Sequence, residues 1–470
     1  MNFFKLPGSS RDELSSIEFQ PFSEQLKPLI EESLIEAQKT GRNREGPFLT
    51  PIFTVFVILG MAIRHDLSYP KVINWMISAI RWLSLTLPQK IIEDGTLTHA
   101  RQYLGIEVFR LIFDKFNQQN YVLTPDFHGR NRVIFDGVTA TLPDTPSNQK
   151  KFGKPSNGKG SAAFPQLRAV ALMSLPLRCL LEGAIGPFKG KGNGERALMA
   201  QILNQFREKK LLFWLDAGFG SIELLEHFKD AQPEFWMKLD RTVTVKYFKK
   251  LPDGSRLAVV QKKFKNPKST SKKRFPQITR EVTVRIISYK LKGFRAARLI
   301  TNVLDETISA KELIKHYHKR WDIELAFDEI KLQKCVTLKG QSPTVFRRKT
   351  AELVEQELDA ILVTYNWIRQ LMCQAGEIYD QEPRFISFFD VIPLIIDALP
   401  IISIAQPKPV PSIWNYLLEL IGQSEINRPR RPRVNPRVLK IKSSKFKRKN
   451  ASHRGEYRNF DEELDDIIFQ

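Results

Sequence analysis

Residues 211–220 read LLFWLDAGFG. Leu211 to Leu215 is a short, unbroken apolar run, the pattern of a strand covered on both faces. It stops on Asp216, and the glycines at 218 and 220 let the chain turn into the helical segment Ser221–Phe228. Ser221 is the better-placed helix cap, so the Asp216 carboxylate is not needed there. A carboxylate at the carboxyl end of a buried strand stands where open α/β sheets build their sites. This reading sets the fold class as α/β.

A second stretch has the same form. Val133, Ile134 and Phe135 make an apolar strand ending in Asp136-Gly137, followed by an alternating run Val138–Leu142 and a Pro143-Asp144 turn. Gln166–Leu175 and Arg178–Ile185 read as further core strands, Ala197–Phe206 as a helix, and Glu234–Leu239 and Arg298–Val303 as strands that return to the core. From Arg241 to Tyr289 the alternation is that of strands, with a Pro252-Asp253-Gly254 hairpin turn, which marks a β-rich insertion. Its loop, Lys262–Arg274, holds seven Lys or Arg and no acid, a candidate phosphate contact. The glycine-rich Gly186–Gly194 lacks the Gly-Lys-Ser/Thr ending of a phosphate loop and reads as a basic loop.

Residues 309–332, SAKELIKHYHKRWDIELAFDEIKL, follow as a helix. On a helical period Tyr317, Arg320, Glu324 and Lys331 fall within roughly 60° of one another. Ordinary ion pairs on a solvated face would produce the same stripe. Together with Asp136 and Asp216, however, Glu324 completes three carboxylates from two strands and a helix, a donor set suited to divalent metal. Two Mg²⁺ ions roughly 3.5–4 Å apart make a nucleophile and stabilise a leaving oxygen in phosphodiester chemistry. Asp136 would hold both ions, Asp216 one and Glu324 the other, with Mn²⁺ able to substitute. Arg320 and Lys331 would bind phosphates beside them, and Tyr317 would pack on or hydrogen-bond the strand being processed. Asp328 is the rival for the third carboxylate and Asp144 a weaker rival for the first.

Composition agrees with a polyanionic partner. The 470 residues carry 73 Lys plus Arg against 51 Asp plus Glu, a formal charge of +22. The apolar run Pro51–Ile63 is shorter than the roughly 20 residues of a membrane span, and Pro393 and Pro400 interrupt Val391–Ala405. Residues 1–16 have no apolar signal core, and Cys179, Cys335 and Cys373 show no paired spacing, so a cytosolic chain without disulfides or zinc is expected.

Residues 1–125 read as helical: Ser23–Ala37, Pro51–Arg64, Pro70–Leu87 and Leu97–Phe116, the last with a Thr98-His99-Ala100-Arg101 start that exposes polar groups. Thr350–Cys373 reads as a long helix, Phe385–Ile421 as one or two more, and Asn427–Arg454 as a basic, proline-containing tail that cannot bury a core. The expected divisions are 1–125, a helical domain that either binds DNA or serves as a structural cap; 126–240 and 291–376, the two parts of the core that carries the carboxylates; 241–290, the insertion; and 377–470, helices and tail.

These residues also carry a resemblance. The chain resembles the DDE-type insertion-sequence transposases with the Tyr-Arg-Glu-Lys signature, whose gaps of two, three and six residues are matched by Tyr317, Arg320, Glu324 and Lys331. Asp136-Gly137 with Leu142-Pro143-Asp144-Thr145, the block YHKRWDIE, LPDGS at 251–255 and HARQYLG at 99–105 extend it, and RPRVNPR at 431–437, with Arg433 and Arg437, resembles the family's basic C-terminal close. The resemblance implies an RNase H-like core interrupted by the insertion, and cut-and-paste transposition through a DNA hairpin. It also implies an N-terminal domain that reads terminal inverted repeats, and a homodimer acting on transposon ends and target DNA at the bacterial nucleoid. Two departures stand out: Ala217 follows Asp216 where the family often has a basic residue, and no Trp lies between Arg241 and Ala310 to hold a flipped base. The competing readings are a structure-specific nuclease on the same core and a non-catalytic DNA-binding repressor descended from a transposase.

Overall fold

The computed structural model describes residues 22–41, 48–80, 92–121, 123–157, 160–188, 193–229, 231–239, 245–265, 277–290, 296–317, 329, 346, 348–424, 433–434, 458–459 and 468–469. In chain order the elements are α1 (Phe22–Glu36), α2 (Pro51–Ile63), α3 (Tyr69–Ala79), α4 (Asp94–Leu104), α5 (Glu107–Asn120), β1 (Asn131–Thr141), α6 (Pro146–Phe152), β2 (Ser156–Asn157), β3 (Gly160–Ser161), β4 (Gln166–Ser174), β5 (Leu180–Pro187), α7 (Glu195–Gln205) and β6 (Leu211–Leu215). There follow α8 (Ile222–Leu225), β7 (Glu234–Lys238), β8 (Val245–Lys250), β9 (Arg256–Lys265), β10 (Gln277–Lys290), β11 (Ala297–Thr301), α9 (Ala310–Tyr317), α10 (Ala351–Ile378), α11 (Phe388–Ile404), α12 (Val410–Gln423), β12 (Arg433–Val434), β13 (Arg458–Asn459) and β14 (Ile468–Phe469). Contacts divide the chain into one unit of residues 1–126, 137–198 and 323–426 and another of 127–136, 199–322 and 427–470.

The first unit is built on α10. Thr350 starts this helix by accepting from the Leu353 N–H, and its apolar residues recur on every side. Ile361, Tyr365, Trp367, Ile368 and Met372 are all buried, so α10 is a core helix rather than a surface one. α2 packs on α10 and α3, and Gly60 makes that approach possible: a Cβ there would stand 2.3 Å from Met76 Sδ. Several polar groups that α10 buries are paired. Asn366 donates to Asn117 and the Leu180 carbonyl and accepts from the Leu180 N–H, fixing α10 against the start of β5. In this unit β5 neighbours β4, and β4 neighbours β1.

Several expectations change here. The predicted helix Leu97–Phe116 is two helices, α4 and α5, because Gly105 takes a φ of +70° that ends the first. Arg101 does not expose its charge: it is 1% exposed, and its guanidinium donates to Gln356 and the Leu353 carbonyl. Burial pushes its pKa down to about 10, against the pull of Glu357. Pro393 and Pro400 lie inside α11 and do not interrupt it. Among the described residues no helix is long and apolar enough to cross a membrane.

The second unit holds the parallel part of the sheet. β1 pairs with β6 in parallel from Asn131↔Leu211 to Ile134↔Trp214, and β6 with β7 from Leu212↔Glu234 to Leu215↔Met237. β7 continues to β11, β10, β9 and β8 through antiparallel pairs, so the expected β-rich insertion is an extension of the same sheet. β14 adds to β10 through Tyr289↔Phe469. One boundary differs from expectation: the strand through Val133–Phe135 does not stop at Asp136-Gly137 but runs on to Thr141.

Candidate active site

The parallel register carries Asp136 and Asp216 to the same level. Each lies two residues beyond the paired Ile134 and Trp214, on neighbouring strands. Adjacent strands run roughly 4.8 Å apart, and alternation puts both carboxylates on the face that carries Trp214. Asp136 is half-buried and Asp216 exposed. The backbone at Asp216 stays extended, with φ −77° and ψ 161°, and its side chain does not cap the turn that follows. That task falls to Ser221, which accepts from the Leu224 N–H, as the sequence predicted. Two carboxylates side by side at the exit of a parallel sheet repel unless a cation lies between them.

The helix that follows β11 is pinned to this sheet at both ends. At its start, the Asp253 carboxylate of the LPDGS turn accepts from the Ala310 N–H at 2.7 Å and is ion-paired to Arg285, which has no exposed surface. Ser255 completes the knot by donating to Asp253 and accepting from Arg285. Burial raises the Asp253 pKa, but the Ser255 hydroxyl and N–H, Arg285 and the Ala310 N–H outweigh it and hold the carboxyl below its usual value. At the other end, Tyr317 is 8% exposed and its ring stacks on Trp236 at 6.1 Å. Its hydroxyl donates to the Leu215 carbonyl at 3.1 Å and accepts from the Lys238 N–H at 3.0 Å. Tyr317, expected from the sequence to contact DNA, is thus buried, with its hydroxyl engaged by the backbone of β6 and β7. Between the ends, His316 lies 2.8 Å from Arg132 of β1, and Glu312 pairs with His128.

Arg320, Glu324, Asp328, Lys331 and Arg437 lie outside the described residues, as does most of the Lys262–Arg274 loop, and Arg433 is placed only as part of β12. Among the described residues no group of three or more His, Cys, Asp and Glu gathers as a metal site. The rival Asp144 is committed elsewhere, to Lys154 at 2.8 Å and to Gln149. Hard carboxylate oxygens from Asp136 and Asp216 fit a divalent cation such as Mg²⁺.

Sequence reasoning missed Glu329, which is 5% exposed in the first unit. It is ion-paired to Arg369, accepts from the Tyr365 hydroxyl at 3.1 Å and lies 3.7 Å from Arg178. Its position two residues before Lys331 in the predicted helix was the available signal, but a carboxylate among other charges reads as surface.

Known proteins match the chain over most of its length. The Transposase DDE domain family matches residues 127–337, a span that contains Asp136, Asp216 and the signature stretch. The chain is 30% identical over 400 residues to the transposase InsG for insertion sequence element IS4 of Escherichia coli strain K12, covering 83% of this chain and 85% of that one. Among solved structures, the piggyBac transposase synaptic complex with hairpin DNA aligns with a TM-score of 0.43 and 10% identity over 89% of this chain and 88% of that one.

Proposed function

Because the chain belongs to the IS4 family of DDE transposases, we propose that it binds the terminal inverted repeats of an insertion sequence and catalyses metal-dependent cleavage and strand transfer. The observation that carries this reading is the parallel pair Ile134↔Trp214, which Asp136 and Asp216 each follow by two residues at the same end of the sheet. The core is then RNase H-like, with Glu324 as the third carboxylate. Asp136, Asp216 and Glu324 hold two Mg²⁺, for which Mn²⁺ substitutes. Metal held by these carboxylates would supply activation of the attacking oxygen and stabilisation of the leaving one.

The chain's own groups do the rest. Asp136 in β1 and Asp216 just past the end of β6 each follow the Ile134↔Trp214 pair by two residues, so the sheet sets their neighbourhood before any ligand arrives and little reorganisation is needed. Arg320 and Lys331 hold phosphates beside the carboxylates, and Arg433 and Arg437 hold the backbone farther along the DNA. The excess of positive charge draws DNA ends and target to the protein. Two protomers act together on paired ends, and the excision step passes through a hairpin. The test is a duplex carrying the element's own ends, incubated with Mg²⁺: cleavage with joining to target supports the reading, cleavage without joining indicates a nuclease, and binding alone indicates a repressor.

A further inference from the structure

We propose that Tyr317 is a positioning residue for Asp216, acting through the backbone of Leu215. The inference rests on the reading of Asp216 as a metal-holding carboxylate and deepens it. The β6–β7 register ends at Leu215↔Met237. In that last parallel pair the Lys238 N–H faces the Leu215 carbonyl. The Tyr317 hydroxyl stands in that place, donating to Leu215 at 3.1 Å and accepting from Lys238 at 3.0 Å. One hydroxyl therefore sits between the two strand ends, bonded to both, at the residue before Asp216.

The wedge is well supported. The Tyr317 ring lies on Trp236, which in turn meets Trp214 edge-on at 6.5 Å. Trp214 pairs with Trp236 across the strands and is two residues before Asp216 on the same face. The far end of the helix is tied by Asp253 and Arg285, so the ring cannot withdraw without breaking that knot. Asp216 itself stays extended, and its direction follows from where Leu215 is held.

Removal of the hydroxyl alone has a specific consequence. In Tyr317→Phe the ring still stacks on Trp236, and the Leu215 carbonyl and the Lys238 N–H lose the hydroxyl that joins them to the helix. The fold survives, and Asp216 is held less firmly at its level with Asp136. A contact to DNA would behave differently, because its loss weakens DNA binding and leaves metal affinity alone.

The experiment measures Mn²⁺ binding to the full chain on its end DNA by electron paramagnetic resonance of the free ion. DNA affinity and melting temperature are measured alongside, for wild type, Tyr317→Phe and Asp216→Asn. Expected for Tyr317→Phe is a loss of Mn²⁺ affinity of about tenfold, the scale on which supporting groups tune metal sites, with DNA affinity within twofold of wild type. Its melting temperature should stay close to that of wild type. Asp216→Asn should lose at least as much. Unchanged Mn²⁺ affinity in Tyr317→Phe beside a weakened Asp216→Asn overturns the positioning role alone, as does a parallel loss of DNA affinity. Unchanged Mn²⁺ affinity in Asp216→Asn overturns the underlying reading of the site and the positioning role with it.

Discussion

Asp359 shows how far a single buried carboxyl can set the behaviour of this chain. It is 8% exposed on α10, and burial pushes its pKa up to about 7; Arg110 offsets part of the rise, and Glu355, Asp114 and Glu182 add to it. Unfolded, the same group titrates near 3.9. Between about pH 4 and 7 the folded chain keeps a proton that the unfolded chain has lost, so this stabilisation is complete at low pH and is lost as pH rises through 7. Asp359→Asn cannot ionise. Its stability relative to wild type is therefore expected to grow between pH 5 and pH 8, by on the order of 2 kcal/mol, in melting curves across that range. A constant difference would show that Asp359 does not titrate there. Glu329 makes the opposite case. It is the carboxylate for the buried Arg369 and lies 3.7 Å from Arg178. Glu329→Gln leaves guanidinium charge buried without its counter-ion and is expected to cost about 3 kcal/mol in denaturant unfolding at neutral pH.

Among the elements, α9 and its supports decide the geometry of the site. Asp253 on the hairpin turn caps the helix and pairs with the fully buried Arg285, so Asp253→Asn removes a charge from both. A loss of about 3 kcal/mol is expected. The Asp253 carboxyl is held below its usual value, so its contribution is present above about pH 4 and is lost as pH falls through the lower, folded value. Wild type should therefore lose stability in acid more steeply than Asp253→Asn. The same element shows what a sequence reveals and what it hides. LLFWL and EFWMK read as strands because short apolar runs have local signatures, and they are β6 and β7. Asp216 at the end of its run was legible for the same reason. The cap on α9 was not, because Asp253 and Ala310 are 57 residues apart and only the folded chain brings them together. Tyr317 was legible as a member of a helical stripe but not as a wedge between strands, since periodicity gives a face and not what the face meets. Arg101 was misread because a charged side chain reads as solvated until its partners, Gln356 and Leu353, are known.

For the whole molecule, charge sets the terms of association. A formal charge of +22 favours a DNA affinity that falls steeply with salt as counter-ions are released from phosphates. If Arg433 and Arg437 each neutralise one phosphate, Arg433→Ala with Arg437→Ala should reduce the slope of log K against log salt by about 2. An unchanged slope would remove these residues from the interface. The matched relative InsG shares 30% identity over most of both chains, so the account extends to the long helix α10 and the helices around it as well as to the strands that bear the carboxylates. Cleavage and end joining with Mg²⁺ on DNA carrying the element's ends separate a transposase from a DNA-binding protein without activity. Wild type would be compared with Asp136→Asn, Asp216→Asn and Glu324→Gln. The account expects wild type to cleave and join, and each variant to bind the DNA as wild type does while product formation falls by at least about a thousandfold, the loss of roughly 4 kcal/mol of transition-state stabilisation. Cleavage that persists in Asp216→Asn, or that persists in Glu324→Gln but disappears in Asp328→Asn, would contradict the assignment of the carboxylates.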